Sequence, residues 1–187
     1  MIDPQLFTTL LSLATIAGDL VIALLLLVLI FRNGEWSKKI LSVAGEYGMF
    51  LAFGVALSAL VGSLWYSNII GYVPCNLCWV QRIFMYPKVV LLGMALWKRD
   101  ESIIDYSIAL SAIGGVIAFY HTYLQFGGNP LAPCSADVAG GVSCAYHYFV
   151  AYGYVTIPTM ALTAFGLMAL FVLIHRSWVF TRGSLTR

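Results

Sequence analysis

Five long apolar runs dominate this chain and restrict the folds that are open to it. They extend over residues 6–31, 47–70, 79–97, 103–124 and 155–174. The hydrocarbon core of a bilayer is about 30 Å thick, so an α-helix needs about 20 apolar residues to cross it. Only 10% of all residues are charged, against about 25% in an ordinary soluble domain. The sequence therefore predicts an integral, all-α membrane protein with five transmembrane helices.

The charges between these runs alternate from one connection to the next. The connection 67–74 has no charge, and the long segment 125–154 contains only Asp137. Basic residues follow the first, third and fifth runs: Arg32, Lys38, Lys39, Lys98, Arg99, Arg176, Arg182 and Arg187. Because basic loops face the cytoplasm, we expect the N-terminus and all four cysteines outside and the C-terminus inside. The net charge of +2 is too small to indicate nucleic-acid binding.

The first apolar run is predicted to be a retained helix and not a cleaved signal peptide. Its leading stretch contains Asp3 and no Lys or Arg, and no A-x-A-like site ends the run. Asp19 lies inside it. An acidic residue within a membrane helix is by default a functional candidate. The alternative is a carboxylate that faces the bundle interior and is hydrogen-bonded there.

Cys75 and Cys78 form a C-x-x-C pair where a polar loop enters the third run. Two cysteines at this spacing can close a small, easily reduced ring, and a helix N-terminus favours the thiolate that exchange requires. The pattern indicates a redox centre at the membrane surface.

The other two cysteines, Cys134 and Cys144, lie in the second outer loop. Taken alone, they could form a simple loop disulfide, or they could exchange with the first pair in an oxidising compartment. A zinc site made from all four cysteines is a weaker alternative, because only one pair has zinc-ribbon spacing. We predict no metal site.

Three polar residues near the outer ends of the third and fourth runs could surround a ligand. Arg82 follows Cys78 at i+4, where a guanidinium would stabilise a thiolate and negative charge on a bound acceptor. The alternative is an interfacial arginine that reaches the headgroups. His121 and Gln125 share a helical face and could hydrogen-bond the carbonyl oxygens of a flat apolar ligand. Alternatively, His121 is an ordinary interfacial histidine.

The run CNLCWVQRIFMYP at residues 75–87 resembles the signature of the disulfide bond formation protein B (DsbB) family, and most closely its BdbC-like branch. The run YHTYLQ at 120–125, followed by the two loop cysteines, is similar to the family's third core helix and second periplasmic loop. The resemblance implies a four-helix transmembrane bundle over residues 47–175. Residues 1–46 would add an N-terminal helix and a basic cytoplasmic loop, and 176–187 a cytoplasmic tail.

The resemblance also implies an activity, that of a quinone-dependent protein-disulfide oxidoreductase in the bacterial cytoplasmic (inner) membrane. Such a thiol oxidase reoxidises a DsbA-like thioredoxin-fold partner outside the cytoplasm and passes the electrons to the membrane pool of ubiquinone or menaquinone. Matched by position, Cys134 would accept attack by the partner's thiol. Cys144 would relay to the C-x-x-C through an interloop disulfide with Cys75.

The same match implies a quinone site. Cys78 would contact the quinone as a thiolate, and Arg82 would stabilise the charge-transfer state. His121 would lie near the quinone ring, and Gln125 matches the family as well. The sequence has no nucleotide, metal or haem motif, so the oxidant must come from elsewhere, and a lipid-soluble quinone can reach the protein through the membrane.

Two other classes of protein are alternatives. Vitamin K epoxide reductase-like proteins are also helical thiol-quinone enzymes, but their loop cysteines precede the C-x-x-C, whereas here the loop cysteines follow it. A non-enzymatic membrane scaffold with two structural disulfides is the other alternative. Quinone reduction driven by a dithiol would distinguish an oxidase from a scaffold.

Overall fold

The computed structural model describes residues 3–130 and 142–185, with side chains as far as Arg182. This part of the chain contains five long helices and no β-sheet, and the predicted all-α class is confirmed. The helices are α1 (Pro4–Ile30), α2 (Glu35–Leu64), α3 (Asn76–Lys98), α4 (Ile103–Gln125) and α5 (Ile157–Leu185). A π-helical turn, Trp65–Ile69, follows α2 directly.

Two helices extend beyond the apolar runs that predicted them. α2 begins at Glu35, so most of the loop predicted before residue 47 is helical. α5 continues to Leu185, well past the predicted end of its run at residue 174. The reason is that hydropathy marks where a helix leaves hydrocarbon, whereas a helix ends where its backbone is capped or broken. The predicted basic loop and tail are therefore shorter than expected.

Four of the five helices are long and apolar enough to cross a membrane: α1, α2 with its π-helical turn, α4 and α5. α3 is long enough, at 23 residues. It is less apolar because its sequence includes Gln81, Arg82 and Lys88. α3 packs between α2 and α4, so its polar side chains lie within a bundle of apolar helices.

The helices form a closed four-helix core with one helix attached. α2 packs on α3, α3 on α4, α4 on α5, and α5 on α2, whereas α1 packs on α5 and α2. This arrangement matches the predicted four-helix core with an additional N-terminal helix. Glycines allow close approach: a Cβ on Gly114 of α4 would lie 2.3 Å from the Phe165 ring of α5.

One lysine of the described residues lies fully inside the core. Lys88 of α3 has no exposed surface, and its Nζ donates to the hydroxyl of Ser111 on α4. Its Nζ is also 5.8 Å from the centre of the Phe165 ring. An ionisable side chain inside a membrane bundle is expected to have such partners, because an unpaired polar group there is costly.

Aromatic side chains cover the end of the bundle where the C-x-x-C lies. Tyr72 stacks on Tyr148, with ring centres 4.2 Å apart, and on Tyr66 at 5.7 Å. The Tyr148 hydroxyl also donates to the carbonyl oxygen of Val73. The segment 142–156, part of the predicted second outer loop, is therefore fastened over the connection between α2 and α3, close to Cys75.

Candidate active site

The C-x-x-C pair is positioned by the N-terminus of α3. Cys75 is the N-cap residue, in extended conformation, and its Sγ accepts the backbone N–H of Cys78 at 3.4 Å. The two Sγ atoms lie 3.1 Å apart, within hydrogen-bond reach, and both residues are free thiols. Cys75 is buried and Cys78 is half-buried. The pair is therefore close enough to form a disulfide after a small movement.

His121 of α4 joins the pair to the segment that contains Cys144. Its Nε2 lies 3.6 Å from the Cys75 Sγ and 3.1 Å from the carbonyl oxygen of Cys144. Its Nδ1 is 2.9 Å from the side-chain nitrogen of Gln81, which can only donate. With Gln81 donating to Nδ1, Nε2 is the ring nitrogen that can donate to the sulfur of Cys75.

Cys144 lies next to the C-x-x-C. It is disulfide-bonded and only 1% exposed, whereas Cys134 lies outside the described residues. The Sγ atoms of Cys75 and Cys144 and a ring nitrogen of His121 all lie within 4.8 Å of one another. This spacing suits thiol–disulfide exchange, and a metal ion would need Cys144 as a thiolate. We therefore interpret the cluster as an exchange site.

The surroundings of Cys75 favour its anion. The hydrogen bond with Cys78 lowers the pKa of Cys75 well below the usual thiol value, and His121 adds to this effect. Burial acts in the opposite direction but is the smaller influence. A thiolate is the nucleophile in disulfide exchange, so Cys75 is prepared to react at neutral pH.

A cavity of about 310 Å³ lies beside Cys78, enclosed by α1, α2, α3 and α5. Arg82 and four tyrosines contribute polar groups to its wall, and most other lining residues are apolar. The tyrosines are Tyr66, Tyr72, Tyr86 and Tyr148. Small-molecule sites of about 300–1,000 Å³ typically combine apolar walls with a few polar groups. The cavity can therefore hold a flat apolar ring next to Cys78.

Arg82 is held at this cavity by two contacts. Its Nη2 donates to the carbonyl oxygen of Ser63 on α2 at 3.1 Å, and its guanidinium lies 5.0 Å from the centre of the Trp79 ring. The Ser63 hydroxyl in turn lies 3.1 Å from that of Tyr86. A guanidinium has five N–H donors, so one bond to Ser63 leaves donors for a ligand.

The four polar residues predicted to bind a ligand divide between two places. Cys78 and Arg82 line the large cavity, as their i, i+4 spacing predicts. His121 and Gln125 line a smaller pocket of about 20 Å³, which Cys78 also borders, between the C-x-x-C and the segment that contains Cys144. The Gln125 side chain donates to the carbonyl oxygen of Tyr146. The predicted contact of His121 and Gln125 with a quinone stays a prediction.

Gln81 is the site residue that sequence reasoning missed. Its side chain is buried and binds His121 on the neighbouring helix. The sequence did contain a signal for Gln81. It is a polar residue within a mostly apolar helix, and a buried polar side chain needs a hydrogen-bond partner. The sequence could not show that this partner was His121, 40 residues away.

Comparison with known proteins relates the sequence to one family. The model of the family described as disulfide bond formation protein DsbB matches residues 46–175. A probable disulfide formation protein C 1 of Bacillus cereus is 44% identical over 122 residues, which are 64% of this chain and 85% of that protein.

Two further relatives agree with this match. Disulfide bond formation protein C of Bacillus subtilis is 39% identical over 127 residues, or 66% of this chain and 88% of that protein. A probable disulfide formation protein of Metapseudomonas resinovorans is 36% identical over 130 residues, or 68% and 88%. No solved structure matches the chain. With a family model that covers more than half of its length, this multi-pass membrane protein belongs to the DsbB family.

Proposed function

We propose that the protein is a quinone-dependent thiol oxidase of the bacterial cytoplasmic membrane, which makes the disulfide of a thioredoxin-fold partner outside the cytoplasm. The observation that supports this most is the position of the C-x-x-C between two features. Cys75 lies next to the disulfide-bonded Cys144, and Cys78 lines the large cavity together with Arg82. Electrons can thus enter on one side of the pair and leave on the other.

The first exchange takes two electrons from the partner. A thiolate of the partner attacks Cys134 in a Cys134–Cys144 disulfide, and Cys144 leaves as a thiolate. The partner's second thiolate then attacks the mixed disulfide, so the partner is oxidised and Cys134 is released. Both loop cysteines are now reduced, and the two thiol protons of the partner pass to them or to water.

The second exchange moves the electrons to the membrane. The Cys144 thiolate attacks Cys75 in an oxidised Cys75–Cys78 pair, and Cys78 leaves as a thiolate beside Arg82. Cys134 then attacks Cys144, which restores the loop disulfide and releases Cys75. The Sγ atoms of Cys75 and Cys144 already lie within 4.8 Å, so the first of these steps needs only a small movement.

The large cavity fits a quinone as the final electron acceptor. A quinone bound there would accept two electrons and two protons and leave as the quinol. Its mostly apolar wall would bind the ring, and the Arg82 guanidinium would hold a carbonyl oxygen and stabilise a thiolate at Cys78. The balance is one dithiol oxidised to a disulfide for each quinone reduced to a quinol.

His121 serves the exchange between the two cysteine pairs. With Gln81 bound to Nδ1, its Nε2 proton points at the Cys75 sulfur and the Cys144 carbonyl oxygen. The imidazole therefore stabilises negative charge on Cys75 when that sulfur is the leaving group. The hydrogen bond to Cys144 keeps the segment that contains Cys144 within reach.

The test is an anaerobic assay of the purified protein with a short-chain ubiquinone or a short-chain menaquinone and a dithiol. Dithiothreitol should reduce the quinone in the wild type, and Cys78→Ser should abolish this activity. Cys134→Ser should abolish oxidation of a reduced thioredoxin-fold protein but leave slow quinone reduction by dithiothreitol, which needs only the C-x-x-C. Absence of quinone reduction in the wild type would contradict the proposal, and equal loss of both activities in Cys134→Ser would contradict the two-step relay.

A further inference from the structure

The large cavity has a wall that the family core does not supply. Leu11, Ala14 and Thr15 of α1 line it together with Cys78 and Arg82. The match to the family model begins at residue 46, so α1 lies wholly outside it. The helix that makes this chain longer than the matched core therefore borders the place where a quinone would bind.

α1 is fixed to the core by a carboxylate. Both oxygens of Asp19 accept hydrogen bonds: Oδ1 from the Thr163 hydroxyl of α5 at 2.6 Å, and Oδ2 from the Tyr154 hydroxyl at 2.8 Å. Asp19 is therefore hydrogen-bonded to groups of the bundle, which is the alternative considered for it in the sequence analysis. Asp19 comes little more than one turn after Thr15, so its bonds fix the part of α1 that lines the cavity.

Close packing next to Asp19 and nearer the N-terminus sets the orientation of α1. A Cβ on Gly18 would lie 2.9 Å from the Thr163 side chain, so only glycine allows the two helices to approach this closely. Nearer the N-terminus, Phe7 stacks on Trp65, with ring centres 4.6 Å apart. These contacts give the cavity-facing residues of α1 one defined position.

We propose that α1 forms part of the quinone site and that Asp19 is a positioning residue for it. This inference rests on the proposed function. Leu11 and Ala14 offer an apolar surface to the bound quinone, and Arg82 offers a charged group to its carbonyl oxygen. The position of α1 then determines how tightly the quinone binds, whereas the exchange between cysteines is independent of α1.

The first test inserts bulk from α1 into the cavity. Ala14→Trp should raise the KM for a short-chain quinone about 5- to 150-fold, which is the effect of overpacking a fitted site. Leu13→Trp is the matched control, because Leu13 is adjacent in sequence and is also exposed, but it does not line the cavity. In both variants the C-x-x-C disulfide should be reduced by dithiothreitol at the wild-type rate when no quinone is present.

The second test removes the hydrogen bonds by which Asp19 holds α1 against the core. Asp19→Leu removes both acceptors and should raise the quinone KM while leaving the dithiothreitol half-reaction unchanged. Asp19→Asn keeps one carbonyl acceptor for Thr163 and should restore much of the affinity. If Asp19 were needed only for folding, Asp19→Leu would impair both the reduction of the C-x-x-C by dithiothreitol and the reduction of quinone. Loss of the quinone reaction alone would indicate that Asp19 positions α1.

Two outcomes would overturn the inference. One is an equal quinone KM in Ala14→Trp and Leu13→Trp, with both proteins folded. The other is parallel loss of the two half-reactions in Asp19→Leu. Failure of the proposed function looks different, because the wild type itself would then reduce no quinone.

Discussion

In the proposed mechanism, Arg82 stabilises the negative charge that develops beside Cys78 at the large cavity. Arg82→Gln removes the charge, whereas Arg82→Lys keeps it but loses the planar fork of donors. We expect Arg82→Gln to lower kcat/KM for quinone roughly 5- to 150-fold, the effect of about 1 to 3 kcal/mol from one charged hydrogen bond. Arg82→Lys should be intermediate.

Steady-state kinetics against quinone concentration would measure this effect. Lys98→Gln is the control, since it removes one positive charge from the exposed far end of the same helix. Equal kcat/KM values in Arg82→Gln and Lys98→Gln would show that Arg82 only anchors the helix at the membrane interface.

The anion at Cys75 gives a prediction about pH. Because its hydrogen bond with Cys78 lowers the pKa of Cys75, its thiolate should persist at pH values well below the usual thiol pKa of about 8.5. Cys78→Ser keeps a hydroxyl donor, and Cys78→Ala does not. The midpoint of the pH dependence of Cys75 alkylation should therefore lie higher in Cys78→Ala than in Cys78→Ser.

His121 should contribute to the same titration. Adding His121→Phe to Cys78→Ser should raise the alkylation midpoint, because His121 also lowers the pKa of Cys75. His147→Phe, in the segment beyond Cys144, is the control and should leave it unchanged. Identical midpoints in all of these variants would show that the neighbours of Cys75 do not set its reactivity.

Between helices, two adjacent glycines of α4 provide a matched pair. A Cβ on Gly114 would lie 2.3 Å from the Phe165 ring, whereas one on Gly115 would meet the same residue at an ordinary 3.7 Å. Gly114→Ala should destabilise the bundle by about 1–3 kcal/mol through overpacking. Gly115→Ala should be neutral or slightly stabilising, since alanine favours a helix. Thermal unfolding in detergent would measure both, and equal stabilities would mean that α4 and α5 pack differently.

The buried pair of Lys88 and Ser111 joins α3 to α4. Removing one partner of a buried hydrogen bond costs about 1–3 kcal/mol, whereas replacing both by apolar groups can be nearly neutral. Ser111→Val should therefore destabilise the wild type but have little effect in a Lys88→Met background. The same unfolding assay applies, and equal destabilisation in both backgrounds would show that the two side chains are not coupled.

The elements were predictable where their signal is local. Apolar runs of membrane-spanning length placed all five helices, and the uncharged connections placed the loops. The start of α2 and the end of α5 were not predictable. Both helices continue beyond their apolar runs as turns that contain charged residues. Hydrogen bonds between helices, such as that of Lys88 with Ser111, were also not predictable, since no sequence pattern relates two positions on different helices.

The site was predictable in the same uneven way. Cys78 and Arg82 share a face by simple periodicity, and both line the large cavity. His121 and Gln125 share a face for the same reason, but that face is turned toward Cys144 and Tyr146. The rotation of α4 in the bundle decides this, and periodicity within one helix contains no information about it.

For the whole molecule, orientation in the membrane is the feature that the proposed function requires. The alternating basic connections predict that the segment after α4 faces outward and the short turn after α3 inward. In a background with the four cysteines removed, Asn129→Cys should react with a membrane-impermeant maleimide in intact cells. Asp100→Cys should react only after the membrane is opened. The reverse pattern would put the native cysteines in the cytoplasm and contradict an extracytoplasmic oxidase.

The bonds of Asp19 also have a consequence for how the protein is made. Its partners Tyr154 and Thr163 lie 135 and 144 positions later in the chain. At about 5–20 residues per second, a ribosome needs on the order of ten seconds to supply them after Asp19. α1 is therefore in the membrane without α5 while the part of the chain that contains all four cysteines is still being added. α5 brings α1 into place, so a chain interrupted before α5 would have its four cysteines but no finished cavity beside them.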